Sequence, residues 1–489
     1  MPPDDLTRVE RRVWRAFATG EQVGLGDDRP GRDPERTVRA EVIAALLLSQ
    51  DDPATRPGHD RTPAVRLAGA RITGRLDLAG AEVPWLLSLY NCVLERPPDF
   101  SHAATRTIKI NNSVLPGFAA IWARISGHLT LAESQVRGTV ELTGTRVSGE
   151  VRMNDASIGR KGGSGSQAAL SAGGLTVEGG CYGRGLRVRG GMRLAGARLR
   201  GGVVLSGAHL EDPDGTALDL ENAEIANALH CSAGFTAHGT VRLRSARVAG
   251  RVSFRRARLT APGIALHATR LRCDELDLHT AGPVTGEVRL SYSVLGTLAD
   301  DSRTWPEKLH LNGMVYESLR HDNVHDDMRR RLGWLSRDPS GFRPQPYEQL
   351  AAFYRRLGED NAARAILYAK QRLRPKRNFA DRAFATVLQV TVGYGYRPQR
   401  AAAWLGGLLT LGSVAFALHH PAALKPDEAP HFNPVLYSLD LLSPIGGFGQ
   451  RDAFDPVGVW QWLAGALVAA GWVLATALIA GVGRVYNRD

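Results

Sequence analysis

The stretch His321-Asp322-Asn323-Val324-His325 sets two histidines four residues apart, a spacing that brings both to one helix face with a carboxylate beside the first. Such a pair can hold zinc, with His310 or Asp326 the nearest further ligands in sequence. Zinc peptidases of this pattern carry glutamate where Asp322 stands, and the aspartate arm reaches less far. A solvated charged helix is therefore the plainer expectation, and His321 and His325 remain weak metal ligands. Thr391-Val392-Gly393-Tyr394-Gly395 spells a potassium filter but precedes any apolar stretch that could frame a pore. Near Lys161 the glycines follow the lysine, the reverse of a phosphate loop. Cys92, Cys181, Cys231 and Cys273 show no metal or redox spacing, which predicts reduced structural thiols. No dinucleotide fingerprint and no haem or iron–sulfur spacing occurs, so no cofactor and no catalytic residue is assigned.

Chemistry of another kind sits near the C-terminus. Asn433-Pro434 opens a short helix, Ser443-Pro444 ends it, and Gly446, Gly447 and Gly449 follow. Ten residues cannot cross a bilayer, so 433–449 reads as a re-entrant or surface-lying segment, with Asp440 available as a ring charge if copies assembled around a pore. Uncharged stretches at 401–418 and 457–483 flank it, with Trp404, Trp460 and Trp462 at their ends. Basic residues crowd the upstream flank from Lys370 to Arg400 and return at Arg484 and Arg488, while the intervening loop holds only Lys425 and Arg451. The positive-inside rule then predicts two spans, cytoplasmic termini and an external loop, 419–456, in the cell (inner) membrane. Residues 379–400 read as an interfacial helix leading in.

What must position all of this is a repeat. GHLTLAESQVR, GTVELTGTRVS and GEVRMNDASIG follow one another from Gly127 without a gap. Leu129, Val140 and Val151 share one slot, Leu131, Leu142 and Met153 the next, Ser134, Thr145 and Ala156 a small slot, and Val136, Val147 and Ile158 the last. Alternating apolar positions predict strands with one buried face, and a unit this short must stack on its neighbours. Two units per coil give a 22-residue circumference. The fold class expected is mainly β, a parallel β-helix (solenoid) with α-helical caps, followed by a helical hairpin and two transmembrane α-helices. The repeat fades near Gly286, and residues 159–189 break its register.

The predicted domains are a helical N-terminal cap and linker (1–62), a β-helix of 11-residue units (63–300), a helical connector with a TPR-like hairpin (301–378), the interfacial helix (379–400) and a two-span membrane domain (401–489). Within the cap, 4–19 and 34–49 read as amphipathic helices, the second opened by Asp33 and Pro34. MPPDDLTRVERR has no apolar core, so no signal peptide is expected. The net charge of +12 suits an anionic surface or an acidic partner. No basic patch interleaved with aromatics appears, so nucleic acid is not expected. Arg187, Arg189, Arg242, Arg244, Arg251, Arg255 and Arg256 alternate outward and form the expected interaction surface for a protein partner or anionic lipid; a homo-oligomer is also compatible.

The segments LAGARITGRLDLAGAEV, QPYEQLAAFYRRLGEDNAARAILYAKQR, VGYGYRPQRAA and YSLDLLSPIGGFGQ together resemble a group of actinobacterial two-span membrane proteins, nearly end to end. Members are labelled pentapeptide-repeat-like or "membrane-associated oxidoreductase". The resemblance implies a cytoplasmic β-solenoid on a two-span anchor and carries over no catalytic residue. The solenoid is also similar in design to bactofilins, whose rods polymerise end to end; helical caps would oppose that. The reading is a non-catalytic membrane-anchored scaffold, sensor or interaction module. The alternatives are a two-span pore subunit and the oxidoreductase of the family label.

Overall fold

A computed structural model describes residues 5–26, 28, 30–31, 33–49, 62–159, 168–320, 327–374, 398–425, 427, 430–444 and 447–486. It divides into two units, Met1–Gln349 and Leu350–Asp489.

The first unit is a parallel β-solenoid of about 11 turns. Leu129 pairs with Val151, 22 residues on, so two sequence units do make one coil. Each regular coil has four walls built from strands as short as two residues, for example Arg124–Ile125, Leu129–Thr130, Gln135–Val136 and Val140–Glu141. Strands this short hold because their backbone groups pair with the coils above and below, and the three apolar slots and the small slot read from the sequence are all buried. At ~4.8 Å per coil the stack is on the order of 50 Å long.

The leading glycine of the unit has a steric cause. Gly127, Gly149, Gly179 and Gly201 stack in one column, with the Gly149, Gly179 and Gly201 amides donating to the preceding glycine carbonyls at 2.9, 3.0 and 2.9 Å. A Cβ on Gly201 would lie 2.4 Å from the Gly179 carbonyl carbon, so no side chain fits at this corner. The small slot is equally constrained. Ser134 is fully buried, donates to the Ile110 carbonyl (2.9 Å) and accepts from the Ser113 amide (3.1 Å). Cys92 occupies the same column, and burial pushes its thiol up to about 11.

Three boundaries differ from the sequence reading. The second expected helix divides: Pro34–Arg36 is a single 3-10 turn, Thr37–Arg39 a strand, and only Ala40–Leu47 is α-helical. Val38 is fully buried, and its strand pairs with Arg71–Thr73 to cover the open edge of the first coil. The register does not stay broken through 189. Leu170 pairs with Val140, so the insertion is confined to 160–167, outside the described residues. The solenoid also runs past 300, because Leu309–His310 and Val315–Arg320 continue the two sheets. The polar stretch Asp301–Lys308 hides that last coil in the sequence.

Both ends are closed. At the first, helix α1 (Arg8–Phe17) begins with a Thr7/Glu10 capping box. Glu10 is fully buried and accepts from the Arg39 amide and from Arg39 Nε and Nη2, each at 2.9 Å. Strand β1 (Val23–Gly24) pairs with Leu67 and Ala68, and α2 (Ala40–Leu47) buries Ile43, Leu46 and Leu47. At the other end lies α3 (Asp327–Leu335). Its Arg331 bridges both oxygens of Asp300 at 2.8 and 2.6 Å, and the guanidinium lies 5.3 and 5.0 Å from the rings of Trp305 and Trp334. The start of α4 (Pro344–Arg356) then covers the last coil. Gln345 accepts from the Gly313 amide (2.7 Å) and donates to the Met314 carbonyl (3.0 Å), while Gln349 donates to the Tyr316 carbonyl (2.8 Å).

The second unit contains α5 (Asp360–Leu373), separated from the end of α4 by a turn at Gly358. Beyond it are α6 (Pro398–Leu418), the short α7 (Pro434–Leu442) and α8 (Val459–Tyr486). Among the described residues one helix is long and apolar enough to cross a membrane, over Val459–Thr476; the apolar part of α6, Ala402–Leu418, is shorter. The interfacial helix expected at 379–400 lies almost wholly outside the described residues, as do the Thr391–Gly395 stretch and Gly446.

Candidate functional site

The solenoid register brings together residues that are far apart in sequence. On the wall containing Arg124–Ile125, the outward position reads, coil by coil, Glu82, Ala104, Arg124, Arg146, Thr176, Arg198, Glu224, Arg247, Arg272, Val294 and Val315. Five arginines and one glutamate thus stand between Arg124 and Arg272, all exposed, in a line roughly 30 Å long. Glu224 is shared between Arg198 (3.7 Å) and Arg247 (3.5 Å). Among the described residues Arg124, Arg146 and Arg272 have no ion-pair partner. Two neighbouring pairs, Arg124 with Arg146 and Arg247 with Arg272, set like charges directly opposite each other, an arrangement that costs stability unless an anion intervenes.

Towards its end this line borders a furrow of about 940 Å³. Its cause is local. From Arg247 onward one long strand per coil replaces the two short strands and their corner, as in Arg247–Ser253, Arg272–Leu278 and Val294–Asp300. A register irregularity between Val248 and Arg251 marks the change. Small residues at Ala226, Ala249 and Gly296 leave room, Arg198, Arg247 and Arg272 line it, and Asp274 and Glu317 add carboxylates. Val294 and Val315 stay 46% and 44% exposed at its far end. Cys273 also lines the furrow, but burial pushes its thiol up to about 12, far from a nucleophilic thiolate at neutral pH.

The arginines expected to form one surface are spread over several walls. Arg187 and Arg189 lie on one wall, Arg242 on the next, and Arg251 on the long strand that ends beyond the furrow. Most are compensated by a carboxylate of the same or an adjoining coil: Arg189 by Glu211 (3.2 Å), Arg242 by Asp219 (3.5 Å), Arg244 by Glu221, Arg251 by Glu275 (2.9 Å) and Arg255 by Asp277 (3.3 Å). Arg187 and the corner residue Arg256 have no ion-pair partner among the described residues. The arginine column had a signal in the sequence. In alternate units the residue before the last apolar slot is arginine, as in ARIS, TRVS, ARLR and ARVA.

Asp440 has a different task from the one a pore would give it. Its side chain is 2% exposed; Oδ1 accepts from the Phe448 amide (2.6 Å) and Oδ2 from those of Gln450 (2.9 Å) and Arg451 (3.1 Å). The carboxylate is therefore occupied in folding the glycine loop back on α7, with Gly447 beside it. Asn433 caps α7 through the Val435 and Leu436 amides, Pro434 is its first residue, and Pro444 lies just past its end. Helix α7 packs between α6 and α8 around Phe416, Tyr437, Leu441 and Leu467. His321 and His325 fall outside the described residues, and among the described ones no group of three or more His, Cys, Asp or Glu is placed to hold a metal.

No protein-family model, no curated protein and no solved structure matches the chain.

Proposed function

We propose that the chain is a membrane-anchored, non-catalytic interaction module, in which the solenoid offers its side walls to a partner and α6–α8 hold it in the bilayer. The observation that carries this is the apolar surface left uncovered on the helices. Trp404, Leu411, Val414 and Leu418 on α6 and Val459, Trp462, Trp472 and Val473 on α8 are exposed, Trp462 by 83%. Water tolerates so continuous an apolar surface poorly, and lipid removes the cost. The same reading puts both termini in the cytoplasm of a two-span protein, on the arginine and lysine bias around the apolar stretches. A scaffold also accounts for closed solenoid ends, which leave the walls as the surface for contact.

The test is an alkaline carbonate wash of membranes carrying the full chain. Retention in the pellet with release only by detergent is expected; release by carbonate overturns the anchor. Absorbance and metal content of the detergent-purified protein then decide against or for the oxidoreductase alternative.

A further inference from the structure

The geometry points to the arginine column and its furrow as the docking site of an extended acidic peptide with an apolar residue at one end. This deepens the reading of the solenoid as an interaction module and rests on it. On this wall Arg124 faces Arg146 and Arg247 faces Arg272 across adjoining coils, and among the described residues Arg124, Arg146 and Arg272 have no ion-pair partner. Two pairs of like charges, each ~4.8 Å apart and separated along the same line by Thr176, Arg198 and Glu224, call for a ligand whose own charges follow the solenoid axis. An extended chain places alternate side chains ~6.6–7 Å apart, close enough for acidic groups to settle between successive arginines. Two features favour a peptide over a lipid leaflet. The site is concave where a leaflet is flat, and the column passes from arginines into Val294 and Val315, two half-exposed valines suited to an apolar side chain. Carboxylates at Asp274 and Glu317 border the valine end and fix polarity, since they repel the acidic part of the ligand from there.

The experiment is fluorescence anisotropy on the detergent-purified full chain. The probe is a labelled ten-residue peptide of alternating glutamate and serine ending in two leucines. Binding that weakens as salt rises is expected, with no binding of the lysine counterpart. R247E/R272E should raise Kd at least about tenfold, R124E/R146E should raise it as well, and R187E on another wall should leave it unchanged. Among the described residues Arg124, Arg146 and Arg272 have no ion-pair partner to lose and Arg247 has only Glu224, and unchanged melting temperatures establish that the variants are folded. Equal affinity in parent and reversed variants overturns the assignment, and so does a folded parent that ignores the probe. Displacement of the probe by soluble dihexanoylphosphatidylglycerol would reassign the column to lipid and overturn the peptide. A chain that fails here but survives the carbonate wash loses this inference and keeps the anchored-module reading.

Discussion

Arg331 carries a full charge with 1% of its side chain exposed, which is tolerable only because Asp300 takes two of its hydrogen bonds and two tryptophans cover its faces. Arg331→Ala strands a buried carboxylate and should cost about 3–5 kcal/mol, read as a lowered denaturation midpoint. Asp300→Ala in the same chain should recover part of that loss, because the stranded charge goes with it. Glu10 makes a second prediction through pH. Burial alone would raise its carboxyl, but the Arg39 guanidinium and the Thr7 and Arg39 amides outweigh it and hold the group at about 2. The folded value lies below the unfolded one, so this stabilisation is complete above pH ~4.5 and is lost as pH falls towards 2, on the order of 2–3 kcal/mol. Amide exchange in α1 should accelerate across that window, and Glu10→Gln should flatten the dependence. Neither pair was legible in the sequence. Arg39 lies 29 residues from Glu10 and Arg331 lies 31 from Asp300, and nothing in either local pattern says that they meet.

At the level of the element, the repeat was legible because each slot answers one constraint: apolar for the interior, small for the crowded corner, glycine where coils touch. The last coil was not, because Asp301–Lys308 interrupts the pattern while Leu309, Leu311, Met314 and Tyr316 still fill the interior. The Gln345–Gln349 closure was equally silent, since two glutamines four apart on a helix are ordinary surface residues until a strand edge lies beneath them. Their loss leaves the Gly313 amide and the Met314 and Tyr316 carbonyls without these partners, and a solenoid edge of that kind templates another strand. Gln345→Ala with Gln349→Ala should therefore drive self-association of the detergent-solubilised chain, seen as a rise in scattering mass with faster exchange over 313–320. A mass unchanged over a wide concentration range would show that the glutamines do not guard this edge.

For the whole molecule, the question the anchored reading raises is whether α6 would follow α8 across a bilayer. The apolar part of α6, 17 residues at ~1.5 Å each, is about 26 Å long, slightly short of the ~30 Å hydrocarbon core, whereas α8 is long enough alone. On the anchored reading proposed above, packing argues for two crossings. Phe416 of α6, Tyr437 of α7 and Leu467 of α8 share one buried cluster, and Asp440 pairs three loop amides that could not enter lipid bare. On that reading α8 carries α6 across with it, and the connection 419–456, α7 included, is expected on the outer face. The four native cysteines are all buried, so single exposed cysteines report sidedness over a low background. In intact cells an impermeant maleimide should label Asp427→Cys directly and Arg187→Cys only after lysis. If Asp427→Cys also waits for lysis, α6 stops within the inner leaflet, and the chain has one crossing with its two termini on opposite faces.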